Sequence, residues 1–174
     1  YGNLAQSEGR GGSGGRLNSG NGVGRNRIAP VNSDGSLDES FDPVFDGSDI
    51  RALAAQSDGK ILAAGSFVRI DGVTRANVAR LTADGALDST FVPAQFNSSV
   101  YALALQSDGK VLVGGWFSSP TLGNYLTRLN SDGSVDSSFV IGSGADSGVY
   151  AISCQSDGKI VVGGSFTSFA GASA

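Results

Sequence analysis

Gln56-Ser57-Asp58-Gly59-Lys60 returns unchanged as Gln106-Ser107-Asp108-Gly109-Lys110 and as Gln155-Ser156-Asp157-Gly158-Lys159, with a softened copy at Gln6-Ser7-Glu8-Gly9-Arg10. The three steps are 50, 50 and 49 residues. A fixed period of this size marks a repeat architecture, in which each unit buries its apolar surface against its neighbours. The 174 residues are therefore counted in units: a degenerate first repeat at 1–49, a second at 50–99, a third at 100–148 and a partial fourth at 149–174.

The residues flanking the pentapeptide read as strands. Tyr101, Leu103 and Leu105 alternate with Ala102 and Ala104, a period of two with large side chains on one face, small ones on the other, and both faces apolar. The segment after the turn, Val111-Leu112-Val113-Gly114-Gly115-Trp116-Phe117, is again apolar on both sides. A sheet with two dry faces lies between two other sheets. Asp-Gly between short apolar runs is a hairpin signal, because glycine accepts φ > 0 and aspartate bonds its own turn. Asp58-Gly59, Asp108-Gly109 and Asp157-Gly158 are read as structural turns on that ground. A second Asp-Gly turn follows at Asp34-Gly35, Asp84-Gly85 and Asp132-Gly133, and then one aromatic, Phe41, Phe91 or Phe139, that would seal the gap between sheets.

Two hairpins per repeat give four strands. The expected fold is all-β, a β-propeller-like array of four-stranded antiparallel blades, with a stacked β-solenoid as the competing geometry. Closed propellers use about four to eight blades, so roughly three and a half repeats do not close a ring within this chain. Either further blades of a longer chain or self-association would cover the open ends, since Ile160 to Phe166 would otherwise present an apolar edge. The first repeat is eroded: Gly11-Gly12-Ser13-Gly14-Gly15 stands where the third reads Val111 to Gly115. Its glycine pair survives and its apolar residues do not, so residues 11–27 are expected to pack poorly. Pro30 replaces Arg80 and Arg128 and points to an edge position. Tyr1, Ile50, Tyr101 and Tyr150 stand near the head of each copy.

Two runs, Val100 to Gly115 and Leu129-Asn130-Ser131-Asp132-Gly133-Ser134-Val135-Asp136-Ser137-Ser138-Phe139, resemble the delta-60 repeat. The resemblance extends from Ile28 to about Phe169. It implies a β-propeller-like fold and a place in a large bacterial secreted or surface protein or a phage structural protein. It implies no catalytic residue.

Composition narrows the chemistry. The net charge is −4, and no cluster of Lys and Arg could follow a phosphate backbone, so nucleic acid is not an expected partner. No apolar run reaches the length of a membrane span, and no charged n-region with an apolar h-region follows Tyr1. Histidine is absent, which removes the commonest general base and transition-metal ligand together. Cys154 takes the strand position of Leu105 and Ala55 and reads as a buried small hydrophobe.

Three sets of residues remain as candidates. Asp34, Asp38, Asp84, Asp88, Asp132 and Asp136 read first as turn residues; the alternative is calcium, which needs several converging oxygens. Arg80 and Arg128 have the reach to bridge to Asp88 and Asp136 across the second hairpin. Trp116 stands where other copies have Ser66 and Ser165. It either fills a gap between blades or, with Tyr125 and Pro120, forms a ligand platform for a sugar or a protein. The sequence thus points to a non-enzymatic structural or adhesive segment at a bacterial cell surface or in a phage virion, without a cofactor, and alternatively to a ligand-binding module meeting a cell-surface or glycan partner.

Overall fold

The computed structural model describes residues 3–4, 17–18, 24–25, 27–38, 40–119, 121 and 123–173. Four two-residue strands come first: β1 (Asn3–Leu4), β2 (Leu17–Asn18), β3 (Gly24–Arg25) and β4 (Pro30–Val31). The second repeat holds β5 (Phe45–Ala55), β6 (Ile61–Ile70), β7 (Val73–Thr74) and β8 (Val78–Leu81). The third holds β9 (Val100–Leu105), β10 (Val111–Ser119) and β11 (Gly123–Leu129). The fourth holds β12 (Val149–Cys154), β13 (Ile160–Gly164), β14 (Ser168–Phe169) and β15 (Ala172–Ser173). Among the described residues no helix is long and apolar enough to cross a membrane.

Each complete blade is an antiparallel meander, β5-β6-β8 in the second repeat and β9-β10-β11 in the third. The fourth strand is present at its shortest, as one antiparallel bridge after the second Asp-Gly turn: Leu81 to Leu87, Leu129 to Val135, and Val31 to Leu37 in the first repeat. Blades stack face to face, with the first strands β5, β9 and β12 side by side. The result is an all-β, propeller-like array that the described residues leave unclosed.

The period of two explains the stacking. Along β6, Ile61 and Ala63 point into the core shared with the first repeat, where they meet Ile28, Phe41 and Leu81. Leu62 and Ala64 point the other way, into the core shared with Val111, Val113 and Leu129 of the third repeat. A third core, built on Leu126, Ala145 and Val149, joins the third repeat to the fourth. Phe41 and Phe91 are fully buried in the first two of these cores, and Phe139 packs at the edge of the third. Burial stops where neighbours stop. Leu62 and Leu112 are 0 % exposed, whereas Val161, at the same place in the fourth repeat, is 52 % exposed.

Four expectations need correction or restriction. Cys154 is only half-buried, as Leu105 is at the same strand position of the third repeat, so the end of the strand beside the turn is not a core position. Arg51, not Ile50, shares the position of Tyr101 and Tyr150, as its five-residue distance from Gln56 requires. The poor packing expected for 11–27 falls largely outside the described residues. Arg27, at its end, lends its guanidinium to the carbonyls of Phe45, Gly47 and Ser48 in β5. Pro30 stands opposite Leu4 of β1, and its carbonyl accepts from Asp38 N–H at 3.1 Å, so β4 has a neighbour on each side and is not the edge that Pro30 suggested.

Candidate functional site

The recurring acids are bonded within the chain. In the first turns the Asp58, Asp108 and Asp157 carboxylates accept the N–H of the lysine two residues on, each at 3.1 Å. Gly59, Gly109 and Gly158 follow with φ of 84°, 82° and 86°, the left-handed region that glycine enters without a Cβ penalty. In the second turns Asp34 and Asp132 accept both N–H and hydroxyl from Ser36 and Ser134, and Asp84 accepts the Thr82 hydroxyl. These hydroxyl bonds come first among the causes that hold the three carboxyls below the ordinary carboxylate value. Asp38 is capped in the same way by Ser40.

Asp88 and Asp136 bind cations that the chain supplies itself. Arg80 Nε donates to Asp88 at 2.8 Å and Lys60 Nζ stands 3.1 Å away. Arg128 and Lys110 meet Asp136 at 2.8 and 2.9 Å. Burial pushes the Asp88 carboxyl up, but the Thr90 hydroxyl and N–H, then Lys60 and Arg80, outweigh it and hold the group far down. Lys110, followed by Ser138, lowers Asp136. Among the described residues no three metal-ligating side chains converge. Each of the six carboxylates considered as a calcium ligand spends at least one oxygen on a turn or an ion pair.

Arg80 also reaches out of its own repeat. Its Nη1 donates to the Ser131 carbonyl at 2.7 Å, and its guanidinium covers the Phe91 ring at 4.7 Å. Beside it, Val92 N–H donates to the Asp132 carbonyl at 2.9 Å. The second turn of one repeat is thereby fastened to the last residues of the repeat before it. Arg128 covers Phe139 at 4.6 Å in the same way, but its Nη1 reaches Gln106 of its own repeat at 3.5 Å.

A different group of residues gathers on one rim of the array. The first strand of the second, third and fourth blades carries a register shift at the same place: Gly65 faces Ile50 and Ala64 faces Ala52, Gly115 faces Val100 and Gly114 faces Ala102, Gly164 faces Val149 and Gly163 faces Ala151. The extra residues are Arg51, Tyr101 and Tyr150. A bulge of this kind re-aims one side chain out of the strand alternation. It also fixes the residue opposite. A Cβ on Gly65, Gly115 or Gly164 would run into the carbonyl oxygen of Asp49, Ser99 or Gly148, so the second residue of each pair facing the bulge is glycine.

The bulged side chains form a row. The guanidinium of Arg51 lies 4.5 Å from the Tyr101 ring centre, and the Tyr101 and Tyr150 rings meet edge to face at 5.3 Å. Trp116 continues the row: its Nε1 donates to the Tyr150 hydroxyl at 2.9 Å, and its ring stands 6.0 Å from Tyr125 at 89°. The indole crosses from the third repeat to the fourth over Gly148. Trp116 and Tyr150 nevertheless remain 43 % and 41 % exposed. Tyr125 is half-buried with φ of 62°, a left-handed conformation shared by Asn77 and Arg27 at the same point of their repeats. A cleft of about 370 Å³ lies along the row, lined by Arg51, Leu53, Tyr101, Leu103 and Ile152 among others. A second, of about 420 Å³, lies beside the 118–124 loop. Pro120 lies outside the described residues.

The structure therefore joins Trp116 to Tyr125, which the sequence had paired, and adds Arg51, Tyr101 and Tyr150, which it had not treated as a site. The signal for these three was present, since each stands five residues before its pentapeptide. What the sequence hid was the bulge that takes them out of the strand pattern.

Comparison with known proteins agrees with this architecture. The model of the family described as "Domain of unknown function (DUF5122) beta-propeller" matches residues 14–41, 56–91, 106–139 and 155–174. No curated protein and no solved structure matches the chain.

Proposed function

We propose that this chain, which belongs to the DUF5122 beta-propeller family, is a non-enzymatic scaffold segment whose blades are completed by further repeats or by other copies of itself. The observation that carries this reading is the sequence of three apolar cores, each shared between consecutive repeats. Stability then resides in neighbour-to-neighbour contacts, as in other repeat arrays. The recurring carboxylates support it, being engaged in turns and ion pairs that repeat from blade to blade. The two motifs that resemble delta-60 repeats favour a bacterial cell-surface or secreted protein, or a phage virion, as the setting. Light scattering with negative-stain imaging tests the reading. Assemblies larger than one chain, or open arcs that close when further repeats are supplied, are expected; a compact, closed, stable monomer would sink it.

A second reading is favoured by the exposed Trp116 and its contact with Tyr125: the module presents a ligand-binding surface, and the scaffold is adhesive. Screening the chain against glycans and peptides tests it directly. Indifference to every ligand class removes the reading.

A further inference from the structure

Trp116 is not explained by packing alone. The corresponding residues in the neighbouring repeats are Ser66 and Ser165, and the blade interface at Ser66 is closed by a hydroxyl pair, Ser66 to Ser99, at 2.8 Å. An indole placed there to fill a gap would be buried, yet it leaves 43 % of its surface open beside Tyr150, which leaves 41 %. Resting on the ligand-binding reading above, we propose that Tyr101, Tyr150 and Trp116 form a binding site for a neutral oligosaccharide of hexopyranose units.

The chemistry of the row selects that class. A pyranose with equatorial hydroxyls has flat C–H faces that lie against aromatic rings and a rim of hydroxyls that pairs with polar groups beside them. The row supplies both. Edge-to-face contacts between Tyr101 and Tyr150, and between Trp116 and Tyr125, hold the rings in place, and Trp116 and Tyr150 keep much of their surface open. The Tyr150 hydroxyl accepts from Trp116 Nε1 at 2.9 Å and from Ser165 Oγ at 3.3 Å, and Ser165 is paired in turn with Ser147 at 2.8 Å. A hydroxyl that accepts in this way still carries one O–H to donate, and Tyr150 is exposed. The cation of the row is already balanced, since Arg51 pairs with Asp49 at 2.9 Å. A cation already paired with a carboxylate draws an anionic sugar less strongly than an unpaired one does, so the row suits uncharged glycans better. The cleft along Tyr101 and Leu103 gives the chain of sugars a path onward from the rings.

Trp116 is the sole tryptophan, so its emission reads the site directly. The whole chain is titrated with cellohexaose, mannohexaose and chitohexaose, and with hexagalacturonate as the anionic control. A saturable emission change with at least one neutral probe is expected, and a weaker one with the control. Tyr150→Phe keeps the ring and removes the donor, and should weaken binding about fivefold to tenfold; Tyr101→Ala should weaken it about tenfold. Circular dichroism melts establish that both variants fold as the parent does. No saturable change with any neutral probe, or tighter binding of hexagalacturonate, overturns the proposal. Unchanged affinity in both variants overturns it too. If Tyr125→Asn then abolishes binding, the ligand-binding reading stands with its site in the loop; if no ligand class binds at all, that reading falls as well.

Discussion

Trp116 occupies space that exists because residue 148 is glycine: a Cβ there would stand 2.7 Å from the indole Nε1. At the preceding interface the same two places hold Ser66 and Ser99, joined by their hydroxyls. One seam is closed by a hydrogen bond, the next by a ring lying on bare backbone. Gly148→Ser should destabilise the chain by about 1–3 kcal/mol through overpacking. Adding Trp116→Ser should restore most of the loss by recreating the serine pair. A double-mutant cycle in urea measures the coupling, and strict additivity of the two changes would refute it.

Arg80 and Arg128 make the same ion pair with unequal surroundings. Arg80 is bonded to the next repeat through the Ser131 carbonyl, while Arg128 stays within its own. Removing Arg80 leaves the buried Asp88 with Lys60 as its one cation and Thr90 as its hydrogen-bond donor. Arg80→Ala should therefore cost about 3 kcal/mol, and Arg128→Ala distinctly less. Equal losses in denaturant unfolding would show that the inter-repeat bond contributes nothing.

Acid should loosen the array from its ion pairs outward. The folded carboxyls of Asp88 and Asp136 lie below their ordinary value of 3.8. A depressed acid contributes stability that is present above its unfolded pKa and lost as pH falls through the folded one. Melting temperature should thus hold near neutrality and drop as pH goes from about 4 toward about 2. The double variant Asp88→Asn, Asp136→Asn should melt lower at neutral pH and lose less over that range. A parallel fall in parent and variant would assign the acid sensitivity elsewhere.

Neighbouring glycines should respond oppositely to one methyl group. A Cβ on Gly163 would find its nearest contact at 3.8 Å, whereas one on Gly164 would strike the Gly148 carbonyl. Gly163→Ala should be neutral or stabilising by about 0.5 kcal/mol; Gly164→Ala should lose about 2–3 kcal/mol. Thermal melts of the two single variants decide the matter, and similar costs would deny the bulge its glycine requirement.

The fold was legible because the repeat states its rules several times. Asp-Gly turns, a period of two with both faces apolar, and a recurring Phe after each second turn define blades that cannot stand alone. Arg80 and Arg128 could be paired with Asp88 and Asp136 because each hairpin puts them eight residues apart. The rim was harder to read. A bulge breaks the alternation by one residue, and strand patterning has no term for that slip. The surviving second glycine was its trace, visible in the sequence but without a reason until a carbonyl was found over it. Trp116 and Tyr125 stood out as departures from the repeat, whereas Tyr101 and Tyr150 were hidden by conforming to it.

The bulge has a consequence for how such arrays diversify. Its shape is set by backbone and one opposing glycine, so the side chain it turns outward answers to none of the three cores. Arg51, Tyr101 and Tyr150 already show the position changing from blade to blade while the stacking beneath stays constant. Every added repeat contributes one more socket of this kind to a single rim, and each can be refilled without renegotiating the interior. A lineage of these chains can then vary what its rim displays by point substitution alone, and vary how much it displays by copying repeats.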